Sequence, residues 1–461
     1  MSCKITSIPT KHLRILEIIH EAVIISRKMS KEFIECYLVG GYVRDLLMGK
    51  EAKDLDCVCS YLDQFRIHLI NLLTEKKISF KEVVYETFGT YMIHFLGEDV
   101  EFVVPRKESY RDYGSRNPTI SIGSFEDDAF RRDFTINTLK ISLNPENYLE
   151  VIDLTGKGLK DLKKRILNTP LSPDITFNED PLRMLRCARF VAVKGFVPVE
   201  RVVVACRKNA GRLGIIVEER IQEEIKRSLI ADNYFRVLNK LGLLTILFPE
   251  LTPLKKINQP SKWHLYNVFE HTMRIVECLP PHLKLAGLYH DTGKIIVNKT
   301  GNFHGHEELS YELTVKRFNE LKFSKIEISY IAFIVRNHMV TMGLVFDENL
   351  TEKAIRRYIH KYRGYIDDLI EFSRCDKIAG GVNVNNGLFR LETFRKRIDE
   401  IITKRPVAIK LAVSGNDIMK ALNIRSGVKV GKIKKDLLDK VVVNELENKV
   451  KVLIDYVISN Y

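Results

Sequence analysis

Two carboxylates one residue apart, Asp54 and Asp56, are the side chains in this sequence best suited to bind metal ions. On a β-strand, residues two apart point to the same face, so both carboxylates can reach one pair of divalent cations. Neighbouring anions repel each other unless a cation neutralises them, and phosphoryl transfer uses this arrangement to hold a triphosphate and activate a hydroxyl. A solvated strand end is the alternative explanation.

A pair of glycines, Gly40 and Gly41, precedes the aspartates at the end of an apolar run. Residues 33–39 are predicted to form a buried strand and residues 43–48 a short helix. Because glycine has no side chain, backbone N–H groups at such a turn can approach a triphosphate closely, and Arg44 would add a charged fork. A plain tight turn is the alternative.

Adjacent arginines, Arg131 and Arg132, are followed by Asp133 and preceded by the acidic run 126–128. Such a pair suits contacts with a triphosphate or with RNA phosphates. The alternative is a surface pair whose charges the neighbouring acids satisfy.

The segment 179–190 is predicted to be a helix in which charged residues recur at every third position. These residues are Asp180, Arg183, Arg186 and Arg189. An acceptor beside a forked donor can read the edge of a base, and further arginines can hold phosphates. The spacing alone favours another account, in which Pro181 takes the first helical position, Asp180 is its N-cap and the arginines form a solvated face.

Composition limits the class of protein. The chain of 461 residues is 45% hydrophobic, which predicts two to four domains. Its formal net charge of +14 favours a polyanionic partner. The eight cysteines form no Cys-x-x-Cys pair and are expected to be reduced and mostly packed. With no signal sequence and no apolar run near about 18 residues, a cytoplasmic protein without a membrane partner is expected.

The hydrophobic pattern changes from strands to helices along the chain. The predicted strands are residues 33–39, 55–59, 81–85, 91–96, 100–105 and 149–154, with helices at 11–28 and 62–75. From residue 161 onward the periodicity is helical, with glycine or proline punctuation.

Together these segments resemble the class II nucleotidyltransferases, the family of bacterial CCA-adding tRNA nucleotidyltransferases and poly(A) polymerases, over nearly the whole chain. The run 38–45 with Asp54 and Asp56 is similar to the family's metal and triphosphate motif, and the run 131–137 is similar to its second motif. The run 179–183 is similar to the amino-acid template whose aspartate and arginine pair with the base of CTP or ATP. On this resemblance, the template reading replaces the N-cap reading of Asp180.

The resemblance implies an α+β fold, in which a polymerase-β-like α/β nucleotidyltransferase head precedes helical neck, body, HD and tail domains. The implied boundaries are 1–155 for the catalytic head, 156–255 for the neck and body with the nucleotide-selecting helix, 256–385 for the HD metal domain and 386–461 for an RNA-binding tail.

The reaction implied is untemplated addition of C, C and A to the 3′ end of tRNA from CTP and ATP. The terminal hydroxyl attacks the α-phosphate, pyrophosphate leaves, and Asp54 and Asp56 hold two Mg²⁺ ions. Glu101, on a later strand, is a candidate third carboxylate, with a strand-end glutamate facing water as the alternative. The implied nucleotide contacts are Gly41, Arg44, Arg131, Arg132, Asp133, Asp180, Arg183, Arg186 and Arg189.

A second group of residues resembles the HD-domain metal phosphohydrolases. His271, the pair His290 and Asp291, and Asp376 occur in that family's order. Imidazoles and carboxylates on facing helices can bind a divalent cation, such as Ni²⁺, Mn²⁺ or another metal. His306 and His338 could complete a second site. A phosphodiesterase or phosphatase activity is the implied function, and a degenerate helical spacer is the alternative.

Other segments resemble further parts of the nucleotidyltransferase family. Residues 108–118 with Gly123 resemble the flexible loop that helps to switch from CTP to ATP, residues 219–224 resemble the neck motif, and residues 414–431 resemble a C-terminal segment that contacts RNA. Basic residues around the last segment fit an RNA backbone contact. These are Lys429, Lys432, Lys434 and Lys435.

The sequence departs from the family at two places. Thr138 stands where the family often has alanine, and residues 88–93 lack the Gly-Arg-Arg-Phe-like run of poly(A) polymerases, which favours tRNA over mRNA. The nearest alternative is a poly(A) polymerase or an enzyme that adds only CC or only A. An HD phosphohydrolase with an RNA-binding head, and a non-catalytic RNA-binding protein, are alternatives of other classes. The sequence does not determine the oligomeric state.

Overall fold

A computed structural model of the protein describes residues 5, 8–85, 89–109, 119–297, 303–404, 407 and 410–461. The chain divides into two units, Met1–Leu247 and Phe248–Tyr461. The first contains a mixed sheet with helices, and the described part of the second is helical apart from an isolated bridge between His264 and Gly381. The predicted α+β fold, with an α/β head and a helical remainder, is confirmed. The bounds of the four predicted domains stay a prediction.

The strands of the first unit are β1 Cys36–Val39, β2 Leu55–Cys59, β3 Phe80–Tyr85, β4 Thr90–Phe95, β5 Glu98–Val103, β6 Arg106–Ser109, β7 Thr119–Ile122, β8 Lys140–Ser142, β9 Val151–Ile152, β10 Ile166–Leu167 and β11 Val197–Pro198. Seven of them form one sheet in the order β3-β4-β5-β2-β1-β8-β9. In it β2 and β5 run parallel, and the other neighbours run antiparallel. The predicted bounds of β2 are those observed, whereas β1 begins later than predicted.

The helices of the first unit are α1 Thr10–Met29, α2 Gly40–Leu47, α3 Leu62–Glu75, α4 Phe125–Phe130, α5 Gly158–Lys163, α6 Pro173–Glu179, α7 Leu182–Lys194, α8 Glu200–Asn209, α9 Glu218–Ser228, α10 Tyr234–Lys240 and α11 Leu244–Leu247. The prediction of one helix over 179–190 was wrong at its first residues, because α6 ends and α7 begins there. Asp180 between them is extended, with φ −137° and ψ 99°. The ring of Pro181 disfavours the helical conformation at the residue before it.

The helices of the second unit are α12 Val268–Cys278, α13 Lys284–Tyr289, α14 Lys294–Val297, α15 His306–Glu320, α16 Lys325–Asn337, α17 Val340–Val345, α18 Glu352–Tyr362, α19 Ile366–Gly380, α20 Val384–Lys404, α21 Gly415–Leu422, α22 Val428–Val442 and α23 Val450–Asn460. Buried apolar side chains of α21, α22 and α23, among them Ile418, Leu437 and Leu453, form a core of their own. Because these helices bury their apolar faces against one another, the final segment does not depend on propensity alone.

One stretch of the second unit, Lys325–Val345, has the length and apolar composition of a membrane span. The sequence pattern had predicted no such run. In the structure the stretch comprises α16 and α17, and side chains such as Ile331 and Ile334 are buried within the protein. A core helix passes the same test of length and composition.

The expectation that the cysteines are all reduced was wrong for one pair. Cys278, the last residue of α12, forms a disulfide with Cys375 on α19. The two residues are 97 positions apart, so no sequence spacing could indicate the pair. The other described cysteines, which are Cys36, Cys57, Cys59, Cys187 and Cys206, are free and buried.

Candidate functional site

Three carboxylates meet at the start of β2. Asp54 is the exposed residue before the strand, Asp56 is half-buried within it, and Glu101 lies beside Asp56 in the parallel register of β2 and β5. Burial, followed by the negative charges of Glu101 and Asp54, raises the pKa of Asp56 to about 6. A divalent cation would remove this repulsion, so the three oxygen ligands fit a magnesium-type ion.

Gly40 brings the backbone of α2 next to these carboxylates. Its φ of +76° lies in the left-handed region, which favours glycine. A Cβ at Gly40 would lie 3.2 Å from Asp56 Oδ2, whereas one at Gly41 would lie 3.5 Å from Arg44 Nη2, an ordinary contact. The turn therefore requires glycine at position 40, although the sequence analysis singled out Gly41 as the phosphate contact.

Arg44 connects α2 to the short 3-10 helix Thr135–Asn137. Its guanidinium donates to both carboxylate oxygens of Asp45, at 2.9 and 2.8 Å, and to Asn137 Oδ1 at 2.8 Å. The residue is only 7% exposed. Arg44 thus holds the glycine turn in place, and three of the five N–H donors of a guanidinium are used in these contacts.

Arg131 and Arg132 share one buried acceptor, Asp128. Arg131 Nη2 donates to Oδ1 at 2.7 Å, and Arg132 Nη2 donates to Oδ2 at 3.1 Å. Burial raises the pKa of Asp128, but the cations of Arg132 and Arg131 outweigh it and the pKa is lowered. Arg132 also lies beside the carboxylates, because its Nη1 is 3.9 Å from the position of a Cβ on Gly40. The charge of Arg132 correspondingly acts to lower the pKa of Asp56.

Asp133 joins the second motif to α7. Its Oδ1 accepts from Phe134 N and from Asn137 Nδ2, both at 2.8 Å, and its Oδ2 accepts from Arg186 Nε at 2.7 Å. Burial raises the pKa of Asp133, but Arg186, Asn137 and Arg183 together outweigh it and the net shift is downward. Because Asn137 also binds Arg44, a continuous set of polar contacts joins α2, the second motif and α7.

The predicted template residues, Asp180 and Arg183, have separate partners. Asp180 Oδ1 accepts from Leu182 N at 3.1 Å, and Oδ2 accepts from Arg220 Nη2 of α9 at 3.0 Å. Arg183 donates to Glu179 Oε2 at 3.0 Å and to backbone carbonyls within unit Met1–Leu247. The side chain of Asp180 is 23% exposed and that of Arg183 is 9% exposed. Asp180 is therefore the member of the pair that a ligand reaches first.

The last residue of the predicted stripe, Arg189, pairs with the buried Glu224 of α9. Arg189 Nε donates to Glu224 Oε2 at 2.8 Å, and Arg186 Nη1 lies 4.0 Å from Oε1. The arginines at 183, 186 and 189 thus bind three different acids, and the predicted stripe is not a solvated face. The neck segment 219–224 provides both a cation for Asp180 and an anion for Arg189.

The second unit contains what we call the histidine cluster. Its members are His271, His290, Asp291, His306, His338 and Asp376. Ligand atoms of His271, His290 and Asp291 lie within 4.8 Å of one another, and so do those of Asp291, His306 and His338. Asp376 Oδ1 lies 2.9 Å from His271 Nε2. The structure therefore brings together all six residues of the predicted metal site, with Asp291 common to both groups.

Backbone carbonyls orient three of these rings. The Nδ1 atoms of His290, His306 and His338 lie 2.8, 2.7 and 2.6 Å from carbonyl oxygens, so each Nδ1 is the protonated nitrogen. In the neutral form of each ring, Nε2 then presents a lone pair to the cluster, as in metal sites where an outer hydrogen bond fixes the tautomer.

Unpartnered nitrogens show that this donor set fits a metal ion. Both ring nitrogens of His271, and Nε2 of His290, are buried and make no well-oriented hydrogen bond to any described residue. Two of these nitrogens face carboxylates of the cluster itself, since His271 Nε2 lies 2.9 Å from Asp376 Oδ1 and His290 Nε2 lies 3.2 Å from Asp291 Oδ2. His306 Nε2 lies 3.3 Å from His338 Nε2 and 3.1 Å from Asp291 Oδ1. Imidazole nitrogens with carboxylates are ligands that Zn²⁺, Ni²⁺ and Mn²⁺ accept.

Sequence reasoning missed two residues at the histidine cluster. Lys294 donates to Asp291 Oδ2 at 2.6 Å and to Gln259 Oε1 at 2.8 Å. It lies three positions after Asp291, a spacing that places both on one helical turn and could have indicated the contact. His264 lies in a loop with its ring centroid 4.6 Å from that of His271, and no spacing rule predicts it.

Two further predicted segments are the flexible loop and the C-terminal segment that resembles an RNA contact. Of the predicted flexible loop, residues 110–118 lie outside the described residues. In the tail, Ser414 and Asp417 form a capping box at the start of α21, so their contacts are structural. The predicted RNA-contacting lysines are exposed on α22. They are Lys429, Lys432, Lys434 and Lys435.

The glycine turn yields a matched pair of substitutions. Gly40→Ala should lower the free energy of unfolding by about 1–2 kcal/mol, because alanine is strained in the left-handed region, and should weaken Mn²⁺ binding by crowding Asp56. Gly41→Ala should change both quantities little. Thermal unfolding and Mn²⁺ titration followed by electron paramagnetic resonance measure the two effects. Equal losses of stability and of Mn²⁺ affinity in the two variants would contradict the conclusion that the turn requires glycine at position 40.

Three family models match this chain. They are the poly A polymerase head domain over residues 36–168, the "Probable RNA and SrmB- binding site of polymerase A" over 195–255, and the HD domain over 263–363. The fold is shared with a Bacillus stearothermophilus CCA-adding enzyme solved with CTP, at a TM-score of 0.64 and 19% identity, covering 98% of each chain.

Relatives with curated names agree with these matches. An A-adding tRNA nucleotidyltransferase of Deinococcus radiodurans is 30% identical over 339 residues, which is 68% of this chain and 75% of that protein. A CC-adding tRNA nucleotidyltransferase of Thermus thermophilus is 28% identical over 431 residues, covering 88% of this chain and 89% of that protein. The chain therefore belongs to the tRNA nucleotidyltransferase family and is a nucleotidyltransferase with a poly A polymerase head and an HD domain.

Proposed function

We propose that this chain adds C, C and A to the 3′ end of tRNA, using CTP and ATP. The observation that carries the proposal is the group of carboxylates Asp54, Asp56 and Glu101 beside the turn at Gly40. A structural role does not account for it, because each of the other two charges raises the pKa of Asp56. Relatives named for A addition and for CC addition support a tRNA substrate and both nucleotides.

The three carboxylates would hold Mg²⁺, and the Gly40 turn would receive the triphosphate. Mg²⁺ bound there would lower the pKa of the tRNA 3′ hydroxyl and neutralise charge on the leaving pyrophosphate. The hydroxyl oxygen bonds to the α-phosphorus, the bond from that phosphorus to the bridging oxygen breaks, and the hydroxyl proton passes to solvent. Arg132, beside the turn, is placed to contact the phosphates.

Base choice is assigned to Asp180 with Arg183. Cytosine and adenine both carry an exocyclic amine that donates hydrogen bonds, whereas uracil and guanine carry a carbonyl acceptor at that position. A carboxylate that accepts from the amine thus selects C and A together. Arg220 and Leu182 N fix the Asp180 carboxylate for this purpose. For Arg183 to read a base, its guanidinium must exchange its present partners.

A second activity is proposed for the histidine cluster: hydrolysis of a phosphodiester or phosphomonoester with a bound divalent metal, such as Ni²⁺ or Mn²⁺. The observation that favours it is the set of inward-facing nitrogens that make no well-oriented hydrogen bond to a described residue. Asp291, held by Lys294, would bind metal with His271, His290 and Asp376. The exposed lysines of α22 are proposed to contact RNA phosphate. The cytoplasmic location of the protein stays a prediction.

Extension of a tRNA transcript that lacks its 3′ CCA tests the main proposal. With Mg²⁺, CTP alone should give CC, and CTP with ATP should give CCA, resolved at single-nucleotide length. A long A ladder would indicate a poly(A) polymerase, and arrest at CC would indicate a CC-adding enzyme. Addition only to a transcript that already ends in CC would indicate an A-adding enzyme. No extension would favour an HD phosphohydrolase with an RNA-binding head.

The variant Asp56→Asn should lower the extension rate by more than about a hundredfold, because changes even to residues behind metal ligands cost about 10- to 100-fold. It should not lower the melting temperature at neutral pH, since a carboxyl pKa raised by folding means that the ionised Asp56 destabilises the folded state, and asparagine removes that charge. Asp99→Asn on β5, an exposed residue paired with His94, is the matched control and should extend normally.

Selectivity should depend on the carboxylate of Asp180. Asp180→Ala or Arg183→Ala should reduce the preference for CTP over UTP by about 1–3 kcal/mol, the usual size of a two-point base contact. Arg220→Ala should reduce the preference for CTP over UTP by no more than about 1 kcal/mol, because the ion pair of Arg220 with Asp180 is partly exposed. Competition between nucleotides, scored by product sequence, measures both effects.

Arg227→Ala on the same helix is the control for these variants, since Arg227 pairs with Glu223. Its selectivity should equal that of the unmodified protein. Unchanged selectivity in Asp180→Ala would refute the template assignment.

Hydrolysis of bis(p-nitrophenyl) phosphate and p-nitrophenyl phosphate, with Mn²⁺ or Ni²⁺, tests the second activity. His290→Ala should abolish it and leave tRNA extension intact. His282→Ala, an exposed histidine paired with Asp368, should leave both activities intact. Hydrolysis that persists in His290→Ala would place the activity elsewhere.

A further inference from the structure

The disulfide between Cys278 and Cys375 lies next to the histidine cluster. Cys278 ends α12, the helix that carries His271, and Cys375 directly precedes Asp376 on α19. The Cα atoms of the two cysteines are 5.5 Å apart. The same two helices also meet where His271 Nε2 lies 2.9 Å from Asp376 Oδ1. One covalent bond and one pair of metal-binding side chains therefore connect the same helices.

The position of Asp376 depends on this connection. Asp376 is the member of the cluster supplied by α19, whereas the other members lie on α12 or between His290 and His338. From Cys278 to His271 the helix rises about 10 Å, since each residue adds about 1.5 Å. A shift of α19 against α12 would thus change the distance between Asp376 and His271 before it changed any other pair of ligands.

We propose that Cys278 and Cys375 form a thiol–disulfide modification site that sets the metal affinity of the histidine cluster. The inference rests on the proposed metal binding of that cluster. In the disulfide form, Asp376 is held at binding distance from His271. In the dithiol form, the ends of the two helices are free to separate, and the metal is bound more weakly because its ligands are less preorganised.

The surroundings of the two sulfurs support an exchange reaction. Cys278 is half-buried, whereas Cys375 is fully buried. Arg374 Nη2 lies 3.6 Å from Cys278 Sγ and 3.5 Å from Cys375 Sγ. A nearby guanidinium stabilises a thiolate. Cys278 is thus the more accessible of the two residues and the one that a reductant reaches first. Arg374 lies equally close to both sulfurs and also donates to Glu371 Oε1 at 2.6 Å, so the difference between the two cysteines rests on their burial.

A dithiol reductant converts the disulfide to two thiols in two exchange steps. A thiolate of the reductant attacks Cys278 Sγ, the protein S–S bond breaks, and its electron pair leaves on Cys375 Sγ, which takes a proton from solvent. The second thiol of the reductant loses its proton and attacks the mixed disulfide, which releases Cys278 as a thiol after protonation. The protein gains two electrons and two protons, and the reductant becomes a disulfide.

The effect should be confined to one metal site. The carboxylates Asp54, Asp56 and Glu101 belong to the other unit, whose described cysteines are free and buried. Extension of tRNA with Mg²⁺ should therefore be the same in both redox forms and serves as an internal control.

Mn²⁺ titration of the full chain, followed by electron paramagnetic resonance, tests the proposal. The variant Asp56→Asn is the background, so that the histidine cluster dominates the binding. After oxidation with oxidised dithiothreitol, alkylation and intact mass should show one disulfide. Reduction with dithiothreitol, removed under argon before titration, should raise the Mn²⁺ dissociation constant about tenfold, within the range that supporting contacts contribute.

Two cysteine variants and His290→Ala complete the test. The double variant Cys278→Ser with Cys375→Ser should bind Mn²⁺ like the reduced protein and ignore the reductant, whereas Cys206→Ser should keep the redox response. Equal Mn²⁺ affinity in the disulfide and dithiol forms would overturn the redox proposal but would not contradict metal binding at the histidine cluster. Failure of oxidation to form the disulfide would also overturn it. Mn²⁺ binding that is absent in both forms, or unchanged in His290→Ala, would overturn the metal centre and the proposal together.

Discussion

Repulsion between carboxylates at the start of β2 is the constraint on which the first unit depends. Asp56 is half-buried beside Glu101, because β2 and β5 are hydrogen-bonded neighbours in parallel register. Burial first, and then the charges of Glu101 and Asp54, raise the pKa of Asp56. Strand pairing, which is favourable for the backbone, thus fixes two anions at a spacing that the side chains alone would avoid. A bound cation would neutralise the two anions, so that the strands can pair without repulsion between their carboxylates.

The arginines around these carboxylates are mostly held by buried acids. Asp128 holds Arg131 and Arg132, Asp133 holds Arg186, and Glu224 holds Arg189. Removing one member of such a buried pair leaves an uncompensated charge, which is costlier than the pair itself is stabilising. The contacts of Asp133 and Glu224 therefore fix the relative positions of the second motif, α7 and α9. They also keep the positive charge near the site without leaving flexible side chains free in solvent.

Much of this arrangement could be predicted from the sequence, and the limits have physical causes. The strand 55–59 and the helix 62–75 were predicted with their observed bounds, because their apolar residues recur with a clear period. The break between α6 and α7 at Asp180 was not predicted, although Pro181 disfavours a helical conformation at the residue before it. The contact of Arg183 with the carbonyl of Arg131 and the pairing of Cys278 with Cys375 were not predictable, because both join distant segments. Glu101 was recognised as a candidate, but only the register of β2 and β5 places it beside Asp56.

Lys294 changes the electrical balance of the histidine cluster. With neutral histidines, Asp291 and Asp376 contribute two negative charges and the ammonium of Lys294 offsets one of them. One divalent cation is then enough to make the cluster positive. A second cation would meet net repulsion in a buried place where charges interact strongly. Such a centre favours a single resident ion in the absence of substrate, and the second position, between His306 and His338, fills most readily together with a phosphate anion.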